Sequence, residues 1–403
     1  MPVERLLPSA EAEDLLGVVR EIAAERLAPR ASRAEADAEF PRDIFALLGQ
    51  LGLMSLPFDE ADGGGGQPYE VYLQVLEEIA MAWMSVGVDV SVHTLAASAM
   101  SRFGSHEQRK RWLPGMLGGI QLGAYALSEP QAGSDVSAIA TKATRDGDSY
   151  VVTGTKAWIS HGPDADFLLL FARTSADARV GLSAFHVPLG AQADSEGIDG
   201  VGRISGVSFG APEKKMGMTA STTTQVLFDA TRLPAQLRIG EEGDGMKIAL
   251  SALDAGRLGI AACATGLGQA ALDLAVGYAR ERHQFGRPIA QFQGLQFMLA
   301  DMAAAVETAR AQYIYAARMR DAGRDFSRAA SVAKLVATDA AMKVTTDAVQ
   351  VLGGYGYTQD FPAERYMREA KVTQIFEGTN QIQRMVIARS LLRSAGAARS
   401  ARS

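Results

Sequence analysis

The chain has 403 residues, of which 47% are hydrophobic and 21% are charged. That composition is typical of a globular protein with room for two or three domains. The formal net charge of −6 excludes a global basic field that would attract nucleic acid or an anionic membrane. We therefore expect neither nucleic-acid binding nor electrostatic membrane binding.

Three sequence features bear on location. The single cysteine, Cys263, allows no internal disulfide, which fits a reducing cytoplasm. The opening MPVERLLPSAEAEDLL carries acids where a secretory signal needs a basic flank. Because no uninterrupted apolar stretch reaches membrane-spanning length, we expect no membrane insertion and a cytoplasmic protein.

Hydrophobic periodicity divides the chain into three parts. Apolar residues at helical spacing predict a helical domain over residues 1–122. Short segments rich in Val, Phe and Thr, such as SYVVTGTKAWIS and DFLLLFAR, predict a β-domain over 123–240. Helical patterns return over 241–403. Since strands and helices are segregated, the predicted fold class is α+β and not an alternating βαβ fold. The predicted helices span 11–28, 42–51, 69–101, 106–117, 246–282, 292–321 and 327–352.

Several common functional motifs are missing or lack their context. GLGQAA at 266–271 matches a dinucleotide fingerprint by letters, but it lies inside a predicted helix, where close helix packing explains it better. The five histidines are scattered and predict no metal site. A G-x-S-x-G nucleophile motif is absent from the sequence.

Five polar or glycine-rich stretches do not resemble plain structure. Taken alone, the first four are also compatible, in order, with a polar turn, a sheet edge, a surface arginine and a breaker cluster between helices. The five stretches are YALSEPQAGSD (125–135), TGTKAWISHG (153–162), ARERHQFGRPI (279–289), QVLGGYGY (350–357) and QIFEGTNQIQR (374–384).

In this order and at these separations, the stretches resemble the acyl-CoA dehydrogenase family of flavoproteins. The motif LDAGRLGIA belongs to the same pattern, and the resemblance covers about residues 10 to 392. It implies an N-terminal helical domain, a middle β-barrel-like domain and a C-terminal four-helix bundle. It also implies a homotetramer, built as a dimer of dimers, and FAD as the cofactor.

The resemblance implies contacts between the cofactor and most of these stretches. Two segments should lie along the flavin ring, and the others should reach the adenosine diphosphate part or approach the cofactor beside the base. The implied cofactor residues are Tyr125, Leu127, Ser128, Ser134, Trp158, Ile159, Ser160, Arg282, Phe285, Gln293, Gln350, Val351, Leu352, Gly353, Gly354, Thr379, Asn380 and Gln381. Some of the adenosine contacts are expected to come from a neighbouring subunit.

The same resemblance implies that Glu377 is the catalytic base for an acyl-CoA substrate. Removing two hydrogens from a saturated thioester needs one base at the α-carbon and a hydride acceptor, which FAD supplies. Burial beneath an acyl chain should raise the pKa of this carboxylate towards neutrality. Positions that match acyl-CoA contacts are Ser134, Asp254, Arg257 and Gly378. Electrons are expected to pass to an electron-transfer flavoprotein.

Two positions and one segment show where the sequence follows the family pattern and where it departs from it. Isovaleryl- and long-chain-type members carry their base immediately before the arginine of LDAGR, where this chain has Gly256. The sequence therefore resembles the short-chain and short/branched-chain branch. His161 stands where the family commonly has asparagine, and residues 190–212 form a glycine-rich connection.

Other functions remain open on the same fold. An acyl-CoA oxidase would reoxidise with oxygen, although many oxidases carry an extra C-terminal domain. Monooxygenases of this fold typically lack a glutamate at the position of Glu377. A non-catalytic acyl-CoA-binding homologue would have lost turnover, which the intact Glu377 disfavours.

Overall fold

A computed structural model describes residues 3–177, 181–189 and 204–400, with side chains described up to residue 393. Most of the glycine-rich connection at 190–212 lies outside the described residues, so its predicted character is untested.

The first part of the chain is helical, as predicted. A five-residue π-helical segment, Ala23–Leu27, joins the first two helices, the second of which has Pro29 in its first turn, where a missing N–H costs nothing. The helices are α1 (Ala10–Ile22), α2 (Ala28–Asp37), α3 (Arg42–Gln50), α4 (Tyr69–Ala82), α5 (Met84–Phe103) and α6 (His106–Leu117).

The prediction of a single helix over 69–101 is wrong, because the helix is interrupted at Trp83. Trp83 has extended backbone angles (φ −155°, ψ 102°) and separates α4 from α5. Its indole Nε1 donates a 2.9 Å hydrogen bond to Glu35 Oε1, and the ring is completely buried. Tertiary packing of the indole therefore overrides the helical periodicity.

The middle part forms one eight-stranded sheet with the order β6-β7-β3-β2-β4-β5-β8, and β1 pairs in parallel with β4. Nearly all other pairs are antiparallel. The long strands β3 and β7 run side by side and bring the tip of β3 against residues 223–224. The strands are β1 (Gly123–Ala126), β2 (Lys142–Asp146), β3 (Ser149–Ser160), β4 (Phe167–Arg173), β5 (Leu182–Pro188), β6 (Val207–Phe209), β7 (Thr223–Pro234) and β8 (Arg238–Ile239).

The last part is helical again: α9 packs against α7, α8, α11 and α12, and α7 also packs against α8 and α11. A small hairpin of β9 and β10 joins α7 and α8. The elements are α7 (Gly245–Glu281), β9 (His283–Gln284), β10 (Arg287–Pro288), α8 (Gln293–Asp321), α9 (Ser327–Leu352), α10 (Gly354–Tyr357), α11 (Ala363–Thr373) and α12 (Asn380–Ser400). The three-part architecture predicted from the sequence is confirmed.

The central helix α7 packs against α4, α5, α8 and α9. A β-carbon at Gly266 would lie 2.3 Å from the Glu77 carbonyl oxygen of α4. The GLGQAA stretch is therefore a close helix contact, as predicted, and not a nucleotide loop.

By length and mean hydropathy (1.4 over 18 residues), α7 could also span a membrane, which qualifies the expectation drawn from apolar length. However, 83% of that window is buried inside the protein, as in the core helix of a globular domain.

Candidate active site

Glu377 and Gly378 form a tight turn between α11 and α12. Both have left-handed backbone angles, with φ of 54° and 84°, and such angles are costly for a residue other than glycine. The Gln383 side chain fixes the turn, since its Nε2 donates to the carbonyl oxygens of Glu377 (3.2 Å) and Gly378 (2.8 Å). Backbone strain at a lone acid is typical of a functional position.

The Glu377 carboxylate lies against α7 at a position without a side chain. A β-carbon at Gly256 would be 2.8 Å from Glu377 Oε2 and 3.1 Å from Leu95 Cδ1. Oε2 is buried and has no hydrogen-bond partner among the described residues. The hydroxyl-bearing rings of Tyr69 and Tyr125 are close enough to interact electrostatically with this carboxylate. The acid is thus available to accept a proton.

Burial raises the pKa of Glu377 from 4.5 to about 7, while the positive charges of Arg257 and then Lys334 counter that rise. A carboxylate with a pKa near neutrality is a stronger base than an exposed one and is still largely ionised in mildly alkaline solution. The direction agrees with the expectation from the sequence.

Two predicted substrate residues, Asp254 and Arg257, lie on α7, and the positive charge of Arg257 acts on the Glu377 carboxylate. Arg257 Nη1 pairs with Asp254 Oδ1 at 2.6 Å, and Ser327 Oγ donates to the same oxygen at 3.1 Å. Arg257 is buried, and its Nε lacks a partner within the described part of the chain. Ser134, by contrast, is exposed on the loop after β1. Its predicted contacts with substrate and cofactor stay predictions.

The two predicted flavin segments meet at one edge of the sheet. The Ala157 N–H donates to the Ser128 carbonyl at 2.9 Å, which joins the end of β1 to β3. Lys156, fully buried, donates to the Leu127 carbonyl at 3.0 Å and pairs with Glu129 at 2.7 Å.

Trp158 is the exposed member of this edge. Its side chain is 63% exposed, its φ is 63°, and its neighbours Ile159 and Ser160 are buried and partly buried. Tyr125 lies on β1 and packs its ring 5.2 Å from Phe171. An open aromatic face at a strained strand end fits a flat ring system.

His161 points away from this edge into the protein. Its Nε2 donates to the Gly123 carbonyl at 2.8 Å, and its Nδ1 lies 3.1 Å from Asp89 Oδ1. Burial lowers the pKa of His161, but the Asp89 carboxylate outweighs that effect and raises it above the ordinary value. The departure from asparagine therefore places a buried imidazole beside Asp89 and not a side chain on the exposed edge.

An opening lies at the C-terminal end of α9. Its volume is about 600 Å³, and its wall includes the predicted Arg282, Val351, Leu352, Gly353 and Gly354. The sequence interpretation missed the other lining residues, although the aromatic and glycine pattern GGYGY contained one of them. They are Tyr278, Gln284, Ile289, Tyr355, Thr358 and Asp360.

The remaining predicted cofactor residues lie neither at the edge around Trp158 nor in the wall of the opening at Gly353. Phe285 is 93% exposed, and Gln293 and Gln350 are also exposed. After the base, Thr379 Oγ1 accepts the Ile382 N–H at 3.2 Å, and Gln381 is exposed. Their cofactor contacts stay predictions.

Asn380 is turned towards α9 and is 3% exposed. Its side chain bonds to Lys334, Thr338 and Asp339 at 2.7–3.1 Å. Any contact with a cofactor is left to its backbone. The sequence interpretation missed Lys334, although a lysine within the alanine-rich buried stripe of α9 was a visible signal.

The residues present fit a flavin nucleotide. Glycines at 353 and 354, with φ of 62° at Gly353, leave backbone groups accessible beside Arg282, which suits a pyrophosphate. Within the described residues, no group of three or more His, Cys, Asp or Glu side chains is placed to hold a metal ion.

Comparison with known proteins gives matches along nearly the whole chain. Residues 9–120, 124–231 and 243–392 match the N-terminal, middle and C-terminal domains of acyl-CoA dehydrogenase. The chain is 41% identical to the short-chain specific acyl-CoA dehydrogenase of Rattus norvegicus mitochondria, over 93% of this chain and 88% of that protein.

Solved structures give the same result. The butyryl-CoA dehydrogenase of Megasphaera elsdenii superposes with a TM-score of 0.91 and 36% identity, covering 96% of this chain and 100% of that one. A chain in a structure of the electron transferring flavoprotein of Acidaminococcus fermentans gives a TM-score of 0.91 and 40% identity, over 97% and 100% of the two chains.

Fold, site and relatives together define a flavin-dependent oxidoreductase. Its three domains follow one another in the order of the family, and its site places the Glu377 carboxylate within the field of Arg257. The chain belongs to the acyl-CoA dehydrogenase family.

Proposed function

We propose that the protein removes two hydrogens from the α- and β-carbons of a short or short-branched acyl-CoA, forming the trans-2-enoyl-CoA. The observation that carries this proposal is the Glu377 carboxylate, whose Oε2 is buried, unpartnered and held against Gly256. A base in this state can take only one proton, which is all that the α-carbon must lose.

The protein's part of the reaction is proton abstraction and charge stabilisation. Glu377 takes the α-proton, and negative charge develops on the thioester oxygen. Among the described residues, the backbone N–H of Glu377 donates no hydrogen bond to the protein, so it is available as a donor to that oxygen. Gly378 leaves room for the thioester to lie beside the base.

FAD is the proposed cofactor and supplies the hydride acceptor for the β-carbon. The edge formed by Leu127, Ser128 and residues 158–160 would hold the flavin ring. Arg282 and the backbone around Gly353 would hold the pyrophosphate as donors.

On α9, Lys334 reaches the catalytic turn and Leu352 lines the opening at Gly353. The two residues are 18 positions apart. At the rise of an α-helix this is about 27 Å, more than the reach from the flavin ring to the pyrophosphate of one FAD. We therefore propose that the opening at Gly353 serves a cofactor whose flavin lies in a second subunit. A homotetramer built as a dimer of dimers is the proposed assembly.

Arg257, Asp254, Gly378 and Ser134 are the proposed acyl-CoA contacts. Similarity to short-chain relatives supports a short acyl chain. An electron-transfer flavoprotein is the proposed electron acceptor. Support comes from the similarity of this chain to a chain in the structure of the electron transferring flavoprotein of Acidaminococcus fermentans. The single buried Cys263 supports a cytoplasmic location.

Anaerobic bleaching of the flavin absorbance, titrated with acyl-CoAs of increasing chain length, tests the function. We expect wild type to bleach with short chains and Glu377→Gln to bleach at least about 10³-fold more slowly, because a general base is lost. The wild-type rate should rise with pH through about 7, where the base loses its proton.

Equal flavin content in both proteins is the control. Bleaching by Glu377→Gln at the wild-type rate would reject Glu377 as the base. A yellow wild-type protein that no acyl-CoA bleaches would point to a monooxygenase or a non-catalytic homologue, and fast reoxidation by air would point to an oxidase.

A further inference from the structure

Helix α9 holds the catalytic turn through three neighbouring side chains, Lys334, Thr338 and Asp339. Lys334 and Thr338 are four positions apart and share one face of the helix, and Asp339 is the residue directly after Thr338. Thr338 and Asp339 bond to Asn380, and Asp339 also accepts hydrogen bonds from Gln374 (2.7 Å). The turn from Gln374 to Asn380 is thus fixed at both ends by α9.

Lys334 is the cation of this group. Its Nζ donates to the Gly378 carbonyl and to Asn380 Oδ1, both at 2.9 Å. The side chain is completely buried. The ammonium group therefore contacts the residue directly after the base.

A buried ammonium at this place is not needed for packing. Most of the buried side chains on α9 are apolar, among them Ala330, Ala333, Ala337 and Ala341, so an apolar side chain would suit the helix. Burying a charge is costly unless it is compensated, and burial lowers the pKa of Lys334 to about 8. Both bonded partners are neutral, which leaves the positive charge of Lys334 uncompensated by them.

Two cations lower the pKa of Glu377, Arg257 of α7 with the larger effect and Lys334 of α9 with the smaller one. Arg257 is paired at 2.6 Å with Asp254. Asp339 bonds to Asn380 and Arg384. Tyr69 and Tyr125 carry no charge, since burial raises the pKa of both above the ordinary value. Lys334 is thus the cation on the α9 side whose field is directed at the turn.

We propose that Lys334 is a positioning residue for the base: its ammonium group holds the 377–380 turn through Gly378 and Asn380 and stabilises the ionised form of the Glu377 carboxylate. This inference rests on the proposed function, because it assumes that the ionised form of Glu377 is the working one. The geometry that carries it is independent of the substrate.

The test is a titration of Glu377 itself, which does not depend on turnover. In the purified holoprotein, the infrared band of the protonated Glu377 carboxyl is assigned by its loss in Glu377→Gln and followed with pH. We expect Lys334→Met to raise the midpoint by about one unit, because a nearby positive charge is removed. Lys334→Gln, which keeps an N–H donor, should raise it similarly and carries the test if the methionine variant does not fold.

Two matched controls separate this effect from general ones. Lys343→Met removes an exposed lysine from the same helix, where it pairs with Asp347 at 2.6 Å. Thr338→Val weakens the same turn without changing a charge. Neither should move the midpoint.

The pH profile of anaerobic bleaching is the second measurement, and its inflection should move upward with the infrared midpoint. An unchanged midpoint in both Lys334 variants, or an equal shift in Thr338→Val, would overturn the proposal. Failure of the proposed function would look different, since wild type would then not bleach while the infrared shift could still be measured.

Discussion

The two ends of α9 have opposite characters. Near its start, Lys334, Thr338 and Asp339 are engaged with a buried turn that carries the base. At its end, Gly353 and Gly354 open into a cavity beside Arg282 and exposed aromatic rings. The first, closed end is covered by the chain's own side chains, and the second, open end exposes glycine backbone and aromatic rings.

This difference separates two kinds of chemistry. A base needs a pKa shifted by burial, so its surroundings must be completed by the chain that carries it. A cofactor-binding surface has no such requirement and can be completed by another subunit. Phe285 illustrates the open kind, because it combines a φ of 51° with 93% exposure.

After the loss of the base itself, the largest expected effect is also on the closed end. Gly256→Ala would place a β-carbon 2.8 Å from Glu377 Oε2, so the carboxylate must move. We expect anaerobic bleaching to slow by about 10²-fold, as for a comparable misplacement of a catalytic group, with flavin content unchanged. Gly277→Ala on the same helix is the control, because a β-carbon there meets nothing within 4 Å. Equal rates in both variants would mean that the carboxylate is not confined by α7.

The next effect concerns the open end. Arg282→Ala should weaken FAD binding by about tenfold, since charge-assisted hydrogen bonds to the pyrophosphate are lost. Arg280→Ala, at an exposed position in the last turn of α7, should leave the affinity unchanged. Titration of the apoprotein with FAD, followed by flavin fluorescence, measures both.

Mixing subunits sharpens the comparison further. If each site takes its base from one chain and Arg282 from another, refolding Glu377→Gln together with Arg282→Ala should restore about one intact site in four. At limiting FAD, activity should therefore exceed the sum of the separate variants. No gain on mixing would mean that Glu377 and Arg282 do not belong to a site shared between two chains.

Much of this arrangement was predictable from the sequence. The three-part fold follows from helical and strand periodicity, and Glu377 was conspicuous as one acid between an apolar pair and a glycine. The break at Trp83 was not predictable, because it depends on a hydrogen bond to Glu35, 48 positions away. The side-chain direction of Asn380 was likewise hidden, since three partners on α9 determine it.

His161 shows the same limit at the sheet edge. From the sequence it was a departure next to a flavin segment. In the structure its ring is directed at Asp89 on α5 and at the Gly123 carbonyl. Contacts between distant parts of the chain decide where a side chain points, and periodicity does not contain them.

The smallest expected effect is on stability and concerns the cost of the base. The pKa of Glu377 lies at about 7 in the folded protein against an ordinary 4.5, so the folded state binds more protons than the unfolded state between these values. Stability contributed by this group is therefore present below pH 4.5 and is lost as pH rises through 7. Glu377→Gln removes the charge and should raise the apparent melting temperature by about 2 °C at pH 8.

At pH 4.5 the same substitution should have almost no effect, because the wild-type carboxyl is then protonated. Differential scanning fluorimetry of both proteins at the two pH values, with equal flavin content, measures the difference. A gain that is equal at both pH values would mean that glutamine stabilises through packing alone. A gain confined to pH 8 would show that the buried base is held at a cost to the fold, which the open end of α9 does not impose.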